Sequence, residues 1–124
     1  MVKTKRVYDP VEASDGNRIL VTRYWPRGIS RERLSIKEWL QNLAPSKDLL
    51  RDWKNKKISW DEYTIRYHEE MSHQQEAIRG LANRAKSSTI TLLCFEYEED
   101  PCCHRHLLKK LIEQEWQVAG QINR

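Results

Sequence analysis

The sequence has no long hydrophobic run. No stretch of its 124 residues approaches the roughly 20 consecutive apolar residues that a membrane-spanning helix needs. The N-terminus carries basic residues, but no apolar segment follows them, so we expect no secretory signal peptide and a cytoplasmic location. Internal repeats and low-complexity segments are also absent. The length predicts a single domain over residues 1–124, with a polar tail from about residue 118.

Cysteine is scarce as well. The chain has three cysteines, an odd number, and two of them are adjacent, which favours free thiols in an intracellular protein over a disulfide framework. The spacings match neither a Cys-x-x-Cys redox pair nor the loop of a protein tyrosine phosphatase. Cys94 lies inside an apolar run and is predicted to be an ordinary core residue.

Positive charge is concentrated near the N-terminus. The formal net charge is +4, and residues 1–33 hold eight Lys or Arg against four Asp or Glu, whereas residues 34–124 are balanced. A basic N-terminal third suggests an anionic partner, either a small phosphate-bearing ligand or a nucleic acid. An ordinary solvated surface is the alternative.

Hydrophobic patterns predict three strands, at residues 2–8, 18–24 and 89–95, and helices between and after the last two. Ser35 with Glu38 fits a capping box and predicts that a helix begins there. Ser46 and Ser59 are the predicted N-caps of two later helices. This order predicts an α/β fold with a small, mostly parallel sheet of about three strands, covered by four to five helices in Rossmann-like or flavodoxin-like layering. The direction of the first strand stays open, because its connection is short.

Residues 100–106 combine thiol, imidazole and guanidinium groups just past the last predicted strand, where ligands bind in open α/β sheets. The Asp-Pro at the start of this segment predicts a helix whose first turn contains Cys103. The helix dipole there would lower the pKa of that thiol and make it a nucleophile. His104 is then the candidate acid or base, Arg105 clamps an anion, and Glu96 orients one of these groups. A capped helix start with incidental polar residues is the alternative.

A metal site is a rival interpretation of the same segment. Cys102 and His106 are four residues apart and would share one helix face. A structural zinc site needs four ligands, however, and His68 and His73 have no obvious partners. We therefore predict no metal and no cofactor.

A second candidate segment, Arg23-Tyr24-Trp25-Pro26-Arg27-Gly28, ends the second predicted strand. Arg23 and Arg27 can reach one anion, and Trp25 can pack over a ligand ring. Gly28 permits a close backbone approach or a positive φ. If the second and last strands are parallel neighbours, this loop and the Cys-His-Arg segment open onto one crevice. The alternative is a rigid turn with solvated arginines.

The second segment resembles a stretch of the domain of unknown function 488 (DUF488) family, in particular its YeaO-like branch. The other matching stretches are Val7-Tyr8-Asp9-Pro10, Asp15-Gly16-Asn17-Arg18-Ile19-Leu20-Val21, Trp39-Leu40, Leu43-Ala44-Pro45-Ser46 and Leu92-Leu93-Cys94-Phe95-Glu96. The resemblance covers roughly residues 5–115. It implies a compact α/β domain and no established activity. Thr22 stands where the family often has an acidic residue, so no carboxylate role carries over. Cys103-His104-Arg105 is more typical of the wider family than of that branch.

Two functions remain in competition, and the sequence leaves open whether the chain is an enzyme. The first is an intracellular protein with an anion- or phosphate-binding crevice at the carboxyl end of the sheet, acting as a thiol-dependent enzyme or sensor. The second is a nucleic-acid-binding module that uses the basic N-terminal third, although no recognised nucleic-acid motif is present.

Overall fold

A computed structural model describes the backbone of residues 1–95 and 103–122 and the side chains of residues 1–95 and 103–115. The strands are β1 (Val2–Arg6), β2 (Asn17–Leu20), β3 (Glu38–Trp39) and β4 (Ile90–Cys94). The helices are α1 (Arg31–Leu34), α2 (Lys47–Lys54), α3 (Trp60–Met71), α4 (Gln75–Ser87) and α5 (His104–Ile122), with short 3-10 turns at Ala13–Asp15 and Gln41–Leu43. Over the described residues, none of these helices has the length and apolar character that crossing a bilayer requires.

The four strands form one parallel sheet in the order β1-β4-β2-β3. The α/β class is therefore confirmed, with four strands in place of about three. The first strand, whose direction was open, runs parallel to β4, with Val2 opposite Ile90 and Arg6 opposite Cys94. Because all strands point the same way, their carboxyl ends lie at one edge of the sheet.

The predicted helix start at Ser35 is wrong. Ser35 instead follows α1 with a φ of 53°, and its backbone N–H bonds to the carbonyl of Arg31. The next residues extend, and Glu38–Trp39 pairs with β2 as an edge strand. The Trp39 indole donates a hydrogen bond of 2.8 Å to the carbonyl of Thr22. Pairing with β2 thus outweighs the local capping pattern, as tertiary context often does.

Side chains alternate between the two faces of the sheet and form two cores. Ile19, Ile90 and Leu92 pack on the face covered by α2 to α5, whereas Leu20 and Leu93 pack on the opposite face with α1 and neighbouring loops. The layering is therefore unequal, with most helices on one face. Cys94 is in phase with residues 90 and 92, so its side chain points toward the helical face, where α5 begins.

The predicted caps at Ser46 and Ser59 are confirmed, since each hydroxyl accepts a hydrogen bond from a first-turn backbone N–H of α2 or α3. Helix α5 continues to Ile122, through the residues predicted to form a polar tail. Glu96, Cys102 and the predicted Asp-Pro at residues 100 and 101 lie outside the described residues. Helix α5 begins at His104, so Cys103 precedes the helix and does not lie in its first turn as predicted.

Candidate functional site

A cleft of about 480 Å³ opens at the carboxyl edge of the sheet. Its walls come from the segments that follow β1, β2 and β4, from the start of α5, and from α2 and α3. Five residues singled out from the sequence line it: Arg23, Trp25, Arg27, Cys103 and His104. Parallel pairing of β2 with β4 brings the two candidate segments together, because both leave the sheet at the same edge.

The loop after β2 is held by hydrogen bonds from its own side chains. The Thr22 hydroxyl donates to the carbonyl of Tyr24 at 2.7 Å, and the Trp25 indole donates to the carbonyl of Ile29 at 2.8 Å. The Trp25 ring also packs edge-on against Trp39, with centroids 5.5 Å apart. One wall of the cleft is therefore preorganised.

Three cationic side chains line the cleft. Arg23 is half-buried and donates from Nε to the carbonyl of Pro45 at 3.2 Å, which fixes its guanidinium against the wall. Arg27 and Lys54 are exposed. Among the described residues, no carboxylate lines the cleft or forms an ion pair with any of the three. The remaining lining is rich in aromatic rings: Tyr8, Tyr24, Trp25, Trp53, Tyr63 and Phe95.

Two other predicted residues lie outside the cleft lining. Gly28 has a φ of 75°, and a Cβ placed there would meet nothing within 4 Å, so its conformation favours the positive-φ interpretation over a close approach within the protein. Arg105 is fully buried, and its Nη1 donates to Cys103 Sγ at 3.8 Å. The structure thus places Arg105 behind the thiol rather than in the open cleft.

The inner end of the cleft contains a buried cluster of Cys94, Cys103 and His104. The two sulfurs are 3.3 Å apart, and His104 Nδ1 lies 3.8 Å from Cys94 Sγ and 4.0 Å from Cys103 Sγ. His104 Nε2 lies 2.6 Å from the carbonyl of Val21. Cys94 is buried, as predicted, but its contact with Cys103 and His104 was not predicted. The sequence signal that could have indicated this contact is the position of Cys94 at the last residue of β4.

Comparison with known proteins identifies the family of this chain. A sequence model of the active DUF488-N3 subclade, DUF488-N3a, matches residues 2–116. The chain belongs to this DUF488 subclade. It is 38% identical to the uncharacterised protein YeaO of Escherichia coli K12 over 92 residues, which cover 74% of this chain and 80% of YeaO. It is 34% identical to the uncharacterised protein Rv3073c of Mycobacterium tuberculosis H37Rv over 90 residues, 73% of this chain and 75% of the relative. No solved structure matches.

The environment of Cys103 in this DUF488 domain opposes ionisation. Its contact with Cys94 and its burial raise the pKa of the Cys103 thiol well above its ordinary value, although His104 acts in the opposite direction. The prediction that the helix dipole lowers this pKa is therefore wrong. Burial also raises the pKa of Tyr67, whose ring lies 5.8 Å from that of His104.

The basic side chains of residues 1–33 in the DUF488 domain do not all line the cleft. Lys5 and Arg18 both pair with the buried carboxylate of Asp15, at 2.9 Å and 2.5 Å. Burial tends to raise the pKa of Asp15, but hydrogen bonds from the Glu12 backbone, Lys5 and Arg18 outweigh it and hold that pKa below 3.8. Two of the basic side chains of residues 1–33 therefore form ion pairs within the protein.

Proposed function

We propose that the cleft binds a small phosphate-bearing ligand that also carries a planar ring. The observation that carries this proposal is the charge of the lining: Arg23, Arg27 and Lys54 face the cleft, and none of the described carboxylates offsets them. Guanidinium and ammonium groups are the side chains that proteins use for phosphate. The position at the carboxyl edge of a parallel sheet is also where α/β domains bind ligands.

The aromatic lining supports the planar ring. Trp25 and Trp53 are half-buried and line the cleft, so part of each side chain remains accessible to a ligand. Stacking of a base on such a ring contributes about 1–3 kcal/mol and tolerates different bases. A nucleotide-like ligand combines both features, a phosphate for the cations and a flat ring for the aromatics.

Among the predicted roles, the nucleophilic role of Cys103 has the weakest support, because the surroundings of the thiol disfavour the thiolate. A nucleophilic cysteine reacts as the thiolate, and the contacts of Cys103 raise its pKa. The family description names an active subclade without naming a reaction. Ligand binding is therefore the function that the geometry supports best, and catalysis by Cys103 and His104 remains a hypothesis for kinetic work.

Isothermal titration calorimetry with adenosine 5′-monophosphate tests the proposal. Ribose 5-phosphate and adenosine, titrated separately, isolate the phosphate and the ring. We expect the nucleotide to bind more tightly than either part. Arg27→Ala should weaken its binding about tenfold, because an exposed guanidinium-phosphate contact contributes about 1.5 kcal/mol.

Arg33→Ala is the matched control, since Arg33 is an exposed arginine of the same basic third that lies outside the cleft lining. Its affinity for the nucleotide should equal that of the wild type. Failure of all three probes to bind, or equal losses in Arg27→Ala and Arg33→Ala, would contradict a cleft-specific site.

The nucleic-acid alternative is tested in the same system with a single-stranded oligonucleotide. If it is correct, the oligonucleotide binds far more tightly than the mononucleotide, and its affinity falls steeply with salt as phosphates release counterions. Arg33→Ala would then weaken binding as much as Arg27→Ala. The internal pairing of Lys5 and Arg18 with Asp15 makes this outcome the less favoured one.

A further inference from the structure

We propose that Cys94, Cys103 and His104 form a binding site for a thiophilic divalent metal ion, with Zn²⁺ as the best match. All three side chains are buried, and one potential ligand atom from each lies within 4.8 Å of the others. Cysteine sulfur and histidine nitrogen are the ligands that zinc prefers in proteins. The sequence offers Cys102 and His106 as a rival metal pair and leads to the prediction of no metal, whereas the packing of β4 against the start of α5 brings a different set of side chains together.

The spacing of the three atoms fits tetrahedral coordination. Zn–S bonds of about 2.3 Å and Zn–N bonds of about 2.0 Å at tetrahedral angles place two sulfurs roughly 3.8 Å apart and a sulfur and a nitrogen roughly 3.5 Å apart. The corresponding separations here are 3.3 Å between the sulfurs and 3.8 and 4.0 Å from sulfur to Nδ1. Movements of a few tenths of an ångström convert the present cluster into a coordination site.

The hydrogen bond of His104 orients its ring for this role. Nε2 lies 2.6 Å from the carbonyl of Val21, an acceptor, so Nε2 carries the proton and donates it. In neutral imidazole the lone pair is then on Nδ1, the nitrogen that faces the two sulfurs. Histidines that bind metals characteristically donate their other N–H to a carbonyl or carboxylate, which fixes the tautomer and the ring.

The charge balance also suits a buried ion. Binding a divalent ion displaces the two thiol protons to solvent and forms two metal–sulfur bonds. The two thiolates and a neutral imidazole then carry a charge of −2, which offsets the +2 charge of the buried ion. Arg105 donates from Nη1 to Cys103 Sγ and supports a thiolate there.

Among the residues that the structure describes, the cluster supplies three ligands from the protein and lies in the lining of the cleft. Structural zinc sites have four protein ligands, whereas three protein ligands and an open fourth position are typical of zinc that contacts water or substrate. The ion would therefore face the inner end of the cleft. This inference does not depend on the proposed phosphate ligand, because metal binding is measured without it.

The test uses the full-length protein, reduced and stripped of metal with a chelator. Titration with Co²⁺, a spectroscopic substitute for Zn²⁺, should saturate at one ion per chain. It should give a thiolate-to-cobalt charge-transfer band and the strong visible bands of tetrahedral cobalt, and Zn²⁺ should then remove both. X-ray absorption of the wild-type zinc form should show sulfur ligands at about 2.3 Å together with imidazole nitrogen. This measurement needs no variant.

Cys94→Ser and His104→Asn should each weaken Co²⁺ binding at least 100-fold, since loss of supporting contacts alone costs about 10–100-fold. His68→Gln, which removes an exposed histidine outside the cluster, should bind as the wild type does. Circular dichroism shows whether the variants fold. The absence of sulfur ligands in the wild-type spectrum, or unchanged Co²⁺ affinity in folded Cys94→Ser, would overturn the proposal.

Discussion

Gly16 provides a sharp test of the packing between β2 and β4. It joins the turn Ala13–Asp15 to β2 with φ 62° and ψ −126°, a conformation that L side chains rarely adopt. A Cβ at this position would lie 2.3 Å from the carbonyl oxygen of Thr89. That oxygen accepts a hydrogen bond of 3.0 Å from the Asn17 N–H, the first link between the two strands. If the backbone at Gly16 or at Thr89 moved away to make room for the Cβ, this hydrogen bond would break.

Gly16→Ala therefore combines two costs. Holding a non-glycine residue in such a conformation costs about 1–3 kcal/mol, and forcing an extra carbon into a packed site costs about 1–3 kcal/mol. We expect a loss of about 4 kcal/mol in the free energy of unfolding, a large part of the 5–15 kcal/mol typical of a domain.

Two other glycines separate these costs. Gly28→Ala keeps a positive φ of 75° but meets nothing within 4 Å, so it should lose only about 1 kcal/mol. Gly80→Ala, within α4 and also open to added volume, should gain about 0.5–1 kcal/mol through helix propensity. Urea unfolding followed by tryptophan fluorescence gives all three values. A loss for Gly16→Ala within about 1 kcal/mol of that for Gly28→Ala would refute the steric argument, because backbone conformation alone could account for a difference that small and the contact with Thr89 would add nothing.

Other predictions concern the buried polar groups. Asp15→Asn leaves the buried Arg18 guanidinium without its carboxylate and should destabilise the protein by about 3 kcal/mol in urea unfolding, whereas Glu12→Gln, at the exposed partner of Lys5, should cost less than about 1 kcal/mol. Because folding lowers the pKa of Asp15 below 3.8, its stabilising effect is present above that pH and is lost as the pH falls below it. Acid titration of Asp15→Asn should therefore show a shallower loss of stability than the wild type. Tyr67→Phe removes a hydrogen bond of 2.7 Å to a buried carbonyl and should cost about 1–2 kcal/mol, measured in the same way.

The parts of the fold that the sequence predicted are those with strong local signals. Residues 89–95 are almost continuously apolar, and β4 lies in the centre of the sheet with every residue buried. Ser46 and Ser59 cap helices because a single hydroxyl can satisfy a first-turn N–H. Strand β3 has only two residues, and its formation depends on hydrogen bonds to β2 across 19 positions of the chain. Such a pairing leaves no periodic pattern for a local analysis to detect.

The candidate site likewise contains one feature that the sequence predicted and one that it did not. The loop after β2 and the start of α5 were predicted to meet because parallel strands deliver both to one edge, and both line the cleft. The pKa of Cys103 is predicted in the wrong direction, because the helix-dipole argument assumes a solvated first turn. In the folded chain, Cys94 lies 3.3 Å away and the thiol is buried, and both raise that pKa.

Contact with Cys94 and burial raise the pKa of the Cys103 thiol, so in the metal-free protein Cys103 is a poor nucleophile. A metal ion changes the balance at Cys103, because coordination replaces the proton and removes the cost of a buried anion. A thiolate nucleophile at Cys103 would be alkylated rapidly by iodoacetamide. The structure instead predicts slow alkylation in the metal-free protein, and Zn²⁺ should slow it further by occupying the sulfur. A rate equal to that of an exposed cysteine in both forms would contradict the burial of the cluster as well as its coordination.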